Sequence, residues 1–272
     1  MRTALMVGLI VVTLFTLISG KLYWNDRIER VHAEGQTAQH PIEEKDISED
    51  TEPEKRKKIA DVVTLDKLNY LPKELQSKFR DKVASGQPVT LAILGSASTS
   101  TKEGAWPNLL KEKLMNTYGP SVIKVTTKEI ANKTSTQVIH EKLLDGLAAS
   151  KPDILLIEPF LLYDNSKLSM EDRLKNLSTI IKQFKSTNSG VTVMIQPSNP
   201  IYQAYYYPKE ESDLEEYALA HGYIYLDHWK AWPNGESDNL LSYLTGEGLP
   251  NEKGNAVWSR FLIDYFIQQA TG

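Results

Sequence analysis

The side chains in this chain that could do chemistry are hydroxyls, carboxylates, amides and one imidazole that follow short apolar runs. Gly95-Ser96-Ala97-Ser98-Thr99-Ser100-Thr101 follows VTLAIL, Ala131-Asn132-Lys133 follows a second β-rich run, and Glu158-Pro159 closes a third. Gln196-Pro197-Ser198-Asn199 follows VTVMI, and Asp227-His228 follows YIYL. A serine is nucleophilic at neutral pH when a neighbouring base takes its proton and a further group orients that base. Ser96 or Ser98 as nucleophile, His228 as base and Asp227 as its orienter meet that need, with Glu158 as an alternative orienter. Of the five histidines, His32 and His40 lie in a charged stretch and His140 and His221 in helical ones, so His228 alone ends a strand-like run. The backbone at Gly95 and an amide from Asn132 or Asn165 would hold an oxyanion, with Asn199 a further substrate-binding group.

Each of these residues also has a purely structural reading. Serines and amides cap turns, and His228, in LDHWKAWP, can hydrogen-bond backbone beside Trp229 and Trp232. Glu158 and Asp164 are the residue types of a glycosidase pair, which needs a defined separation in space. Tyr202, Tyr205, Tyr206 and Tyr207 with Trp229 and Trp232 read either as loop packing or as a sugar-stacking surface. No metal-ligand spacing and no glycine-rich phosphate loop is present, so neither a metal nor a cofactor is expected.

The elements that must position these residues alternate. Apolar β-rich runs at Val89–Leu94, Val122–Ile130, Asp153–Phe160, Val191–Ile195 and Tyr223–Leu226 read as strands. Helical periodicity marks Glu103–Tyr118, Ser135–Ala149, Met170–Phe184, Ser212–Ala220 and Glu252–Gln269, and Pro72 opens a further helix, Lys73–Ala84. Strands alternating with helices predict an α/β fold of three layers, with a five-stranded parallel sheet covered on both faces. In such folds ligands sit beyond the carboxyl ends of the strands, where the five polar turns gather.

The rest of the chain is organised differently. Met1-Arg2-Thr3 precedes 17 uncharged residues, Ala4–Gly20, followed by Lys21-Leu22-Tyr23-Trp24. A helix of that length spans roughly 25 Å, and the flanking lysine and aromatics suit a membrane interface. Ile18 and Gly20 fit poorly as a cleavage site, so residues 1–24 read as an uncleaved signal anchor with the remainder exported. Residues 25–58 are dense in charge with little apolar periodicity and read as a solvated stalk. Residues 59–86 form a helical lead-in, and residues 87–272 the main domain. The chain of 272 residues is 41% hydrophobic and 24% charged with a net charge of −4, which gives no footprint for nucleic acid. It has no cysteine, which excludes disulfides and a thiol nucleophile.

Three segments resemble the SGNH/GDSL hydrolases. The strand running into Gly-x-x-x-Thr, then a helix with an early tryptophan, is similar to that family's first block. PDILLIEPFLLYDN is similar to its third, and LPNEKGNAVW to its last, in order and spacing across Val89–Gly272. The resemblance implies a flavodoxin-like sheet, serine ester hydrolysis or acyl transfer, and no cofactor. Aligned on those blocks, Ala97 stands at the nucleophile position with Ser96 at the preceding aspartate. Lys133 falls near the glycine donor and Tyr163 at the asparagine. Gly246 and Leu249 take the aspartate and histidine positions, while Pro250-Asn251 match. The expectation is therefore a membrane-anchored, extracytoplasmic esterase, acyltransferase or deacetylase acting on cell-wall or capsular glycan. The alternative is a degenerate relative that binds polysaccharide or scaffolds envelope assembly.

Overall fold

A computed structural model describes residues 66–267. The expected membrane helix, the stalk and the first residues of the lead-in lie outside that range. Among the described residues no helix is long and apolar enough to cross a membrane.

The sheet is five-stranded and wholly parallel, in the order β2-β1-β3-β4-β5, with β1 Val89–Gly95, β2 Ile123–Glu129, β3 Ile154–Ile157, β4 Thr192–Ile195 and β5 Ile224–Tyr225. Alternation along the strands builds two cores. Leu91, Ile93, Ile154, Leu156 and Met194 point to one face; Ala92, Leu94, Leu155, Ile157, Val193 and Ile195 point to the other. The first face is covered by α1 (Lys73–Ala84), α2 (Trp106–Tyr118) and the C-terminal helix, the second by α3 (Ser135–His140), α4 (Asp145–Ala149), α6 (Met170–Thr187) and α7 (Tyr207–Ala220). A short helix α5, Leu161–Asp164, follows β3, and α8 is Glu252–Phe266. The three-layer expectation is met. The lead-in helix α1 is part of the core: Leu75 and Phe79, with Leu68 and Leu71 just before it, are fully buried.

Several elements are shorter than the periodicity suggests, β3 by four residues and α2 by three, and two helices differ more. The stretch expected as one helix, Ser135–Ala149, is two, with Lys142 between them at φ +55°. The left-handed residue redirects the chain, so that Val138 and Leu144 both bury in the same core. Helix α7 begins five residues before the expected Ser212, at Tyr207, with Pro208 in its first turn, where a missing N–H costs nothing.

Helix α8 is started by Asn251, whose Oδ1 accepts from the N–H groups of Lys253 and Gly254. Gly254 packs so closely that an added Cβ would overlap the Tyr243 carbonyl oxygen and stand 2.9 Å from the Trp232 ring. In an ordinary helix, glycine to alanine gains about 1 kcal/mol. Here Gly254→Ala is expected to destabilise the domain by roughly 2 kcal/mol, because close-packed neighbours must shift; urea unfolding monitored by circular dichroism measures it.

Candidate active site

The strand ends are held by a buried carboxylate. Glu158, the residue after β3, is fully buried and accepts from Ser96 N (2.6 Å), Ser96 Oγ (3.0 Å), Thr99 Oγ1 (2.9 Å) and Ser198 Oγ. It thereby ties the turn after β1 to the turn after β4. Burial pushes its carboxyl up to about 7, against the pull of those hydrogen bonds. Gly95 is dictated by this packing, since a Cβ would overlap Thr99 Oγ1 and lie 2.5 Å from Glu158 Oε2. Neither Ser96 nor Glu158 lines either of the two cavities, of about 830 and 850 Å³, described below; the serine is 6% exposed.

Four indole N–H groups fix the loops around it. Trp106 Nε1 donates to the Ser98 carbonyl, Trp229 Nε1 to the Ser198 carbonyl, Trp258 Nε1 to Gln196 Oε1 and Trp232 Nε1 to His228 Nδ1. His228 stacks on Trp258 (ring centroids 4.0 Å apart, 13° between planes), and Trp258 stacks on Trp106 at 4.8 Å. With Nδ1 accepting from an indole N–H, the proton sits on Nε2, which donates to the Pro197 carbonyl at 3.0 Å. Both ring nitrogens are thus engaged, and burial lowers the imidazole to about 3.

The expected relay is therefore not assembled. His228 hydrogen-bonds neither Ser96 nor Ser98, and no lone pair on it is left to act as a base. Asp227 does not orient it: Oδ1 accepts from Trp229 N and Oδ2 pairs with Lys230. The structural reading of LDHWKAWP is the one the fold adopts. Asn165 is an exposed residue at the end of α5, outside the strand-end cleft described below. Glu158 and Asp164 do not form a glycosidase pair across a cleft, because both are buried and Asp164 Oδ1 accepts from Ser135 N at 2.8 Å.

A cleft of about 850 Å³ does lie beyond the carboxyl ends of β1 and β2. Its walls are the β1–α2 loop from Ala97 to Ala105, the turn after β2 at Ala131 and Asn132, and the approach to α8 from Thr245 to Asn255. Ala97 and Leu249 both line it, as do Lys102, Glu103, Glu129, Glu247 and Glu252. Of the predicted residues, Ser98 and Asn132 reach it. Asn132 does so from a left-handed turn (φ +58°). Ser98 is 2% exposed, and its Oγ donates to Asn199 Oδ1 at 2.8 Å. Asn199 is itself buried and held by the Gly248 carbonyl at 2.9 Å. An amide oxygen is not a proton acceptor of the strength a serine nucleophile needs. Among the described residues no cluster of side chains could hold a metal ion.

Sequence reasoning missed the partners rather than the positions. Thr99 and Ser198, which satisfy Glu158, stand in the same polar runs as Ser96 and Asn199. Glu129, whose carboxylate fixes Thr101 through its N–H and hydroxyl, sits at the end of β2 among exposed residues and gave no signal of its own.

No protein-family model and no curated protein matches the chain. Solved structures do. The domain is similar to a GDSL-like lipase from Parabacteroides merdae at 11% identity and a TM-score of 0.56, covering 66% of this chain and 95% of that one. It is similar to a carbohydrate esterase of family 3 from Talaromyces cellulolyticus at 12% identity and 0.56, covering 66% and 97%. A G-D-S-L lipolytic-type protein from Desulfitobacterium hafniense gives 15% identity and 0.54, covering 65% and 99%. The fold is therefore that of the SGNH/GDSL hydrolases, as the sequence blocks imply.

The raised Glu158 carboxyl makes stability depend on pH with a definite sign. The folded protein holds this proton up to about pH 7 and the unfolded chain only to about 4.5. Its contribution is thus fully present below 4.5 and lost as pH rises through 7. His228 works in the opposite sense, because the unfolded imidazole, ordinarily titrating at 6.5, takes up a proton that the folded one refuses until about 3. Glu158→Gln should remove the first effect and leave the second. The difference in unfolding free energy between wild type and variant is expected to shift by a few kcal/mol between pH 4.5 and 7.5, in the variant's favour at the higher pH. Urea titrations across that range measure it.

Proposed function

We propose that the chain is a membrane-anchored, extracytoplasmic glycan-binding protein built on an ester-hydrolase fold. Its ligand is an acylated cell-envelope polysaccharide, bound in the strand-end cleft. The observation that carries this reading is the lining of that cleft, where Ala97 and Leu249 occupy the places the SGNH blocks give to serine and histidine. Hydroxyl, amide and carboxylate groups remain around them. Such a surface can hydrogen-bond a polyhydroxylated ligand, and it lacks an activated nucleophile among the described residues. The carbohydrate class is supported by the family 3 carbohydrate esterase among the structural relatives. The uncharged run Ala4–Gly20 supports the membrane tether and an exported domain.

One feature favours a second reading, ester hydrolysis. Ser98 lines the cleft and bonds an amide, so a small movement of its turn would present Oγ to an acyl carbonyl. The two readings separate with full-length protein in detergent, given a fluorophosphonate probe and p-nitrophenyl acetate. Binding alone predicts labelling and turnover no greater than in Ser98→Ala. It also predicts sedimentation with purified cell-wall polysaccharide that falls by about tenfold in affinity in Ala97→Trp, whose side chain fills the cleft. Labelling that disappears in Ser98→Ala would replace the binding reading with the hydrolase.

A further inference from the structure

Asn199 stands between two cavities. Its partner Ser98 lines the strand-end cleft, and the next residues, Pro200 and Ile201, line a second groove of about 830 Å³. Residues of the chain from Pro200 to Pro208, Tyr202 and Tyr206 excepted, form one wall of this groove, and Trp229 with Trp232–Glu236 the other.

The groove carries aromatic surface that the fold does not use. Tyr205, which lines the groove, is 86% exposed; Tyr206, just outside the lining and 71% exposed, meets its ring edge to face with centroids 4.8 Å apart. Neighbouring tyrosines left in water beside a groove are unusual where the next residue, Tyr207 at the start of α7, is only 3% exposed. The frame behind them is rigid. Pro200, Pro208 and Pro233 fix backbone angles around the groove. Gln203 is held left-handed at φ +51° by its N–H on the Gly235 carbonyl (2.9 Å) and its amide on the Tyr202 hydroxyl (2.9 Å). A non-glycine residue kept in that conformation at a groove's edge marks a place where shape is maintained at a cost to stability.

The chemistry of the lining selects the ligand. Gln203, Asn234 and Glu236 ring the aromatic surface, and the lining contains no lysine or arginine. Phosphate, nucleic acid and anionic lipid therefore meet no countercharge there. A neutral sugar fits on two counts. Its polarised C–H face packs on the electron-rich face of a tyrosine or tryptophan ring, and its hydroxyls reach amide and carboxylate groups at the edge.

We infer that this groove is a second carbohydrate-binding site, separate from the strand-end cleft, which stacks a sugar ring on Tyr205, with Tyr206 set edge to face against that tyrosine. The choice of a glycan rests on the reading of the whole chain as a glycan binder; the site itself rests on the groove.

The test is calorimetric titration of full-length protein in detergent with soluble N-acetylglucosamine and xylose oligosaccharides, and separately with a proline-rich peptide. Three proteins are compared: wild type, Ala97→Trp, and the double variant Tyr205→Ala/Tyr206→Ala, whose lost side chains are solvent-exposed and outside the core. The inference expects two oligosaccharide sites in wild type, of which Ala97→Trp retains the groove site unchanged and the tyrosine variant retains the cleft site while its groove site weakens by at least about tenfold. Oligosaccharide binding unchanged in the tyrosine variant but lost in Ala97→Trp overturns the groove and leaves the cleft reading standing. The reverse pattern, loss with the tyrosines and none with Ala97→Trp, supports the groove and overturns the cleft. Absence of any oligosaccharide binding overturns both, as does tyrosine-dependent capture of the peptide alone.

Discussion

A carboxylate removed from water must be surrounded by donors, and around Glu158 that requirement organises the functional end of the sheet. The residue follows β3, the middle strand, and it collects donors from the turns after the strands on either side. Four hydrogen bonds reduce the cost of burying the charge without cancelling it, which is why the proton is held up to about pH 7. Much else follows from this arrangement. Position 95 has to be glycine, Ser96 is drawn inward by both its N–H and its hydroxyl, and Ser98 is left to reach Asn199. The serine with a carboxylate beside it is thus the one that does not line the strand-end cleft.

A second constraint is aromatic. Trp106, Trp258 and His228 form a stack that joins α2, α8 and the turn after β5. Large flat groups bury much apolar area, but indole N–H groups and imidazole nitrogens must then find partners inside. They find them in the strand-end loops: each indole named above donates into Ser98, Gln196, Ser198 or His228. The histidine is consumed by this network as both acceptor and donor. An imidazole used to satisfy a tryptophan on one side and a carbonyl on the other cannot also shuttle protons.

The two constraints leave the fold with the shape of an ester hydrolase and a cleft of different content. Parallel strands ending in polar turns still create a concavity at the expected place. Its surface carries Ala97 and Leu249 among hydroxyl, amide, lysine and acidic side chains. Beyond Asn199 the loop after β4 helps to build a groove of similar volume, about 830 Å³, lined by prolines and the exposed Tyr205. Fold and chemistry are separable here because strand packing depends on alternation of apolar residues, which tolerates change at the loops, whereas catalysis depends on a few atoms in those loops.

The sequence by itself determined the sheet, its helical cover and the edge at which ligands would gather. Those follow from periods of two and 3.6 residues, which are local and survive reading one residue at a time. It also determined which residues would stand at that edge: Ser96, Ser98, Glu158, Asn199 and His228 all lie at the ends of β1, β3, β4 and β5. Tertiary structure alone decided what each of them does. Glu158 and Ser96 are separated by 62 residues and Trp258 and Gln196 by 62, so neither partnership leaves a local pattern. The break in the expected Ser135–Ala149 helix has the same origin, since burying Val138 and Leu144 in one core overrides a continuous helical period. Whether a polar side chain at a strand end faces a ligand or a buried partner depends on which distant groups need satisfying, and that is known only once the chain has folded.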